Sequence, residues 1–61
     1  MADDPIAKLK HDLANPLSAI LAETQLLLLN EGALDPELVE SLKHIESLAR
    51  RMRDIIQNPR G

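Results

Sequence analysis

The chain reads as all-α: an antiparallel helical hairpin that pairs with a second copy to form a four-helix bundle. Three observations carry this expectation. Apolar residues recur every three or four positions along two long stretches, and no segment alternates as a half-buried strand would. An aspartate-proline helix start occurs twice, at Asp4-Pro5 and at Asp35-Pro36. The chain has 61 residues and no cysteine. A chain that short buries only about 60% of its unfolded surface, so association is the expected source of the missing stability.

The first helix is expected over residues 4–30. Asp3 or Asp4 caps the free amides and Pro5 takes the first helical position. Ile6, Leu9, Leu13, Leu17, Ile20, Thr24 and Leu27 then step by three or four, and Leu21 and Leu28 widen the stripe. Asp4, Lys8 and Asp12 lie four apart on a polar face and support one another as ion pairs. Gly32 is placed to end the helix in the left-handed conformation, with a turn over residues 31–34.

The second helix is expected over residues 35–57. Leu38, Leu42, Ile45, Ala49, Met52 and Ile56 follow a heptad register, broadened by Leu48 and Ile55. Glu37 and Glu40 fall in its first turns and Arg50, Arg51 and Arg53 toward its end, which complements the helix dipole. Glu46 and Arg50 are a favourable pair one turn apart. Asn58-Pro59 stops the helix, leaving residues 59–61 as a loose tail or the edge of a larger protein. Helices of about 27 and 23 residues would be roughly 40 and 35 Å long. Their short connection forces them antiparallel. One hairpin cannot cover two broad stripes, so a homodimer is expected in which folding and association are a single event.

Composition narrows the function. A net charge of −3 and the absence of any aromatic residue argue against nucleic acid, which selects basic surfaces and stacking side chains. Two widely separated histidines without cysteine do not form a metal site. The longest apolar run, residues 26–29, is far too short to span a bilayer and reads as core plus dimer seam. The acidic first residues do not resemble a signal peptide, so a cytoplasmic setting is expected.

One stretch breaks the helical pattern: His11-Asp12-Leu13-Ala14-Asn15-Pro16-Leu17. Pro16 lies in the helix interior, where it removes a backbone donor and crowds the carbonyl of Asp12, a cost of roughly 3 kcal/mol. Packing gives no reason to keep such a residue. His11, Asn15 and Ser18 share one face, at spacings of four and three, beside the apolar stripe and outside it. An imidazole in water is substantially neutral at pH 7 and can act as a nucleophile. Asp12 could take the proton from one ring nitrogen while the other attacks.

His11-Asp12-x-x-Asn15-Pro16-Leu17, within a long helix and followed by a second amphipathic helix, resembles the H-box of two-component sensor histidine kinases. Residues 6–57 are similar to their dimerisation and histidine-phosphotransfer domain. All fixed positions of the motif are present, with aspartate at the position after the histidine where the family more often has glutamate. The resemblance implies roles. His11 is the phosphoacceptor that takes the γ-phosphoryl group of ATP, and Asp12 is its general base. Asn15 contacts the catalytic domain during transfer and positions water in the phosphatase direction. Pro16 supplies a bend. The implied partners are a second copy, an ATP-binding kinase catalytic domain and the receiver domain of a response regulator, which accepts the group on an aspartate.

The chain has no glycine-rich nucleotide lid, with only Gly32 and Gly61 available. ATP and Mg²⁺ are therefore expected to enter through a separate catalytic domain, with no cofactor held by the chain itself. On its own it is expected to be phosphorylatable but not autocatalytic. Two other readings compete: a structural helical-hairpin dimer without phosphotransfer, and a stand-alone histidine phosphotransfer protein, for which the chain is short. His44, with no asparagine or proline after it, reads as a polar flank residue. The arginines at 50, 51 and 53 fall level with His11 once the hairpin folds, but dipole complementation and solubility account for them more simply.

Overall fold

The computed structural model describes residues 4–58. It is a hairpin of two helices, α1 (Pro5–Leu28) and α2 (Pro36–Gln57), joined by a 3-10 turn at Glu31–Ala33. The tail expected over residues 59–61 and the alternative cap at Asp3 lie outside the described residues.

Both helices begin as the aspartate-proline pairs predict. Asp4 Oδ1 accepts from the Ile6 amide at 3.0 Å, and Asp35 Oδ1 accepts from the Glu37 amide at 2.9 Å, each with proline in the first turn. Asp35 also anchors the exit from the turn. Asp35→Ala is expected to cost about 1 kcal/mol, which should lower Tm by roughly 4–8 °C in a domain of this size. Thermal unfolding followed by circular dichroism reads this directly.

The end of α1 differs from the expected one. The helix closes at Leu28, and the next amides bend back to nearby carbonyls: Leu29 to Gln25 and Leu26, Asn30 to Leu27. Ala33 and Leu34 then donate to Asn30 and Glu31, each at 3.0 Å. These short-range bonds satisfy the carbonyls that a left-handed glycine would otherwise serve. Gly32 accordingly sits inside the 3-10 turn, outside the left-handed region, and an added Cβ there would meet nothing within 4 Å. Lys43 Nζ lies 3.7 Å from Glu31 Oε2 and ties the turn to α2.

The single apolar stripe read on each helix divides into two. Leu17, Leu21 and Thr24 of α1 and Leu42 and Ala49 of α2 are buried in the seam between the helices, with Ile56 packed against it. Ala49, only 4% exposed, lets the helices approach closely against Leu17 and Leu21. The Thr24 hydroxyl is not stranded there, since it donates to the Ile20 carbonyl at 2.7 Å. The other members of the stripe face away from the seam. Ile6, Leu9, Leu13, Ile20 and Leu27 on α1 stay exposed, as do Leu38, Ile45, Leu48, Met52 and Ile55 on α2.

The molecule is a slab of 50 × 20 × 11 Å, about one helix thick. At 100° per residue, both exposed apolar stripes fall to the same side of the seam. Gln25 and Glu46 mark the opposite side, where Gln25 Nε2 donates to Glu46 Oε2 at 3.3 Å across the helices. Arg50 Nη2 reaches the same carboxylate oxygen at 3.1 Å, so the expected Glu46–Arg50 pair is part of a cross-helix bridge. One broad side is therefore apolar, and the other carries Gln25 and Glu46. Leu26 and Leu29 stay exposed beside Gln25, so the 26–29 run does not lie wholly in the core and apolar side as expected, because four consecutive residues point all round a helix.

Candidate functional site

α1 carries the candidate site in its second and third turns. Asp4 and Pro5 fix where the helix begins, and Leu17 and Leu21 fix its rotation by entering the seam. With that rotation set, His11, Asp12, Asn15 and Ser18 are all exposed. Helix geometry puts His11 and Ser18 on the side of Gln25 and Glu46, away from the apolar stripe, with Asn15 and Asp12 toward the outer edge. An imidazole in that position is open to a large partner while the apolar side remains free for packing.

Asp12 is engaged, but not by the imidazole. Its Oδ2 accepts from Lys8 Nζ at 2.9 Å. Among the described residues, the carboxylate makes no hydrogen bond to the His11 ring. Successive side chains on a helix diverge by 100°, and Lys8 stands one full turn earlier, where a long flexible cation meets the carboxylate easily. Spacing alone flagged the Lys8–Asp12 pair, but its position beside His11 becomes apparent only in the folded helix.

Pro16 lies inside α1, which runs through it as one continuous helix. The Asp12 carbonyl receives no amide from Pro16, so the turn between them lacks one of its bonds. Pro16→Ala restores that bond and is expected to raise Tm by more than about 5 °C, taking up to ~3 kcal/mol for an interior proline. Thermal unfolding of the variant beside the parent, followed by circular dichroism, checks this.

The arginines of α2 occupy three environments. Arg50 pairs with Glu46, Arg51 is exposed beside Asp54 at the rim of a shallow depression, and Arg53 is half-buried along the seam. The last turn of α2 contains no basic residue. The dipole reading of these arginines is thereby weakened, because the effect is confined to the terminal turn. His44 is exposed on α2, without an asparagine-proline pair after it. No group of three or more metal-ligating side chains occurs among the described residues.

A family model for the His Kinase A (phospho-acceptor) domain matches residues 3–58. The chain belongs to this family. The match takes in both helices and the turn, so this His Kinase A domain is a phosphoacceptor and dimerisation module of histidine kinases in two-component signalling. Domains of the family dimerise and work with a kinase catalytic domain. No curated relative and no solved structure matched the chain. Among the described residues of the domain, no helix is long and apolar enough to cross a membrane.

Proposed function

We propose that His11 is the phosphoacceptor of this domain, receiving the γ-phosphoryl group of ATP from a kinase catalytic domain and passing it to an aspartate of a response-regulator receiver domain. The observation that carries this reading is the exposed His11-Asp12-x-x-Asn15-Pro16 run on a helix of a His Kinase A domain. In the forward step a lone pair on one ring nitrogen forms a bond to the γ-phosphorus. The bond to the bridging oxygen breaks, and its electron pair leaves with ADP. The proton on the other ring nitrogen passes to Asp12, which keeps the ring neutral as the first nitrogen is phosphorylated. In the second step the nitrogen–phosphorus bond breaks, an oxygen of the receiver's carboxylate bonds to phosphorus, and the imidazole regains its proton.

Asn15 lies one turn beyond His11, where its amide can bond to the catalytic domain or hold a water against the receiver's phosphoaspartate. Mg²⁺ accompanies ATP in the catalytic domain; the present helices supply no glycine-rich loop for the nucleotide. The functional unit is a homodimer joined through the apolar side, working in the cytoplasm, where ATP and receiver domains are available. Family membership favours this reading over a purely structural hairpin, and a hairpin that needs a second copy fits poorly with a stand-alone monomeric phosphotransfer protein.

The test is to incubate the chain with a histidine-kinase catalytic domain and ATP labelled on the γ-phosphate, then divide the product between acid and alkali. The expected label is lost in acid, stable in alkali, and moves to an added receiver domain. An acid-stable label, or none, would contradict the proposal.

A further inference from the structure

The cations of α1 are Lys8 and Lys10. Lys10 is half-buried along the hairpin seam, whereas Lys8 is exposed and paired to Asp12. With its two side chains 77% and 55% exposed, this pair adds little to stability and breaks easily. Lys8 also stands three residues before His11, about 4.5 Å along the axis and about 60° around it. Helical side chains lean toward the N-terminus, which tilts the imidazole over the turn that carries Lys8. A lysine ammonium on its four-carbon stem can therefore reach either the Asp12 carboxylate or a group bonded to the His11 ring.

We infer that Lys8 is a positioning residue for phosphoryl transfer: it holds Asp12 in the resting chain and exchanges that carboxylate for the incoming phosphoryl group. The inference rests on the acceptor reading of His11. A phosphoryl group brings up to two negative charges and three acceptor oxygens against the single charge of Asp12, so the ammonium moves to it as the donor arrives. The exchange draws the anionic donor to the ring and releases Asp12 at the moment when the ring proton needs an acceptor. Lys8 keeps its protons throughout and changes only its partner. The nitrogen–phosphorus bond forms as the donor's bond to its leaving group breaks, and the ring proton goes to the freed carboxylate.

Potassium phosphoramidate, a small anionic phosphoryl donor, isolates this step from any catalytic domain. Its phosphorus–nitrogen bond breaks as the histidine bond forms, and ammonia leaves. The rate at which His11 is phosphorylated would be followed by ³¹P NMR in the parent chain, Lys8→Ala, Lys8→Arg, Asp12→Asn and the Lys8→Ala/Asp12→Asn double variant. Removing one neighbouring charge should slow capture by about three- to tenfold, while arginine should largely restore it. The parent rate should also fall more steeply with added salt than that of Lys8→Ala. The slowing should persist in the Asp12→Asn background, where a lysine that merely restrained Asp12 would have no effect left. A Lys8→Ala chain that is phosphorylated as fast as the parent, or faster, overturns the inference, as does an effect that vanishes with Asp12→Asn. A parent chain that gains no acid-labile phosphoryl group on His11 overturns the acceptor reading together with this one. Because Lys8 is exposed, circular dichroism should show all the lysine variants folded like the parent.

Discussion

Replacing His11 with glutamine should abolish acid-labile phosphorylation, a loss on the order of a hundredfold or more, while His44→Gln should leave it intact. Glutamine keeps the polarity and helical preference of the position but offers no nucleophilic nitrogen, so the loss would be chemical and not structural. Both histidines are exposed, and exposure therefore does not distinguish them. The difference lies in their surroundings: His11 is followed directly by Asp12 and, one turn on, by Asn15-Pro16, whereas His44 is followed by Ile45 and has no asparagine-proline pair after it on α2. The measurement is label retained after alkaline quench, with helical content checked in each variant. Label surviving in His11→Gln and disappearing in His44→Gln would move the site to α2.

The second large effect concerns the apolar side. Ile45 is 44% exposed in the hairpin and Leu13 is 45%, and both belong to the side proposed to face a second copy. Ile45→Lys removes roughly 1 kcal/mol of burial per subunit and places an ammonium where a partner's apolar residues would enclose it, which costs several more. In a two-fold assembly each substitution is felt twice. The expected result is an increase of a hundredfold or more in the dissociation constant, with loss of helical signal at micromolar concentration, because among the described apolar residues an isolated hairpin buries only Leu17, Leu21, Leu42 and Ala49. Ser18→Lys, on the opposite side, should leave both mass and helicity unchanged. Light scattering with circular dichroism reads the two together. An Ile45→Lys chain that keeps the parent's mass and helicity would rule out this face as the joint.

The helices, their starting residues and the antiparallel hairpin were legible in the sequence because each rests on local chemistry. Asp4-Pro5 and Asp35-Pro36 satisfy the first amides wherever they occur, and three-four spacing needs no tertiary knowledge. His11-Asp12-x-x-Asn15-Pro16 stood out because an interior proline conflicts with its helical context. What the sequence did not separate was which apolar residue serves which neighbour. Leu42, Ala49 and Ile56 look much like Leu38, Ile45 and Met52, each set stepping by seven. Only the docking of α1 on α2 sorts the first set into the seam and leaves the second exposed. The place of the turn was legible, but its geometry was not, for a related reason. Gly32 suits a left-handed cap, but a 3-10 turn serves the same carbonyls and needs no glycine conformation. The Lys8–Asp12 pair was legible from its four-residue spacing, whereas the choice of Asp12 between Lys8 and the His11 ring depends on rotamers that spacing does not fix.

The seam formed by Leu17, Leu21 and Ala49 has a further consequence for how this domain can change over generations. It is the phase reference from which the bearing of His11 is measured, with the first buried leucine six positions after the imidazole. Inserting or deleting one residue in that interval turns the histidine by 100°, carrying it off the polar side while every side chain in the motif remains present. Substitutions within the interval leave the bearing untouched. The spacing from His11 to Leu17 is thus a fixed length: a changed count swings the imidazole off its side, whereas a new side chain at Leu13 or Ala14 leaves its bearing alone.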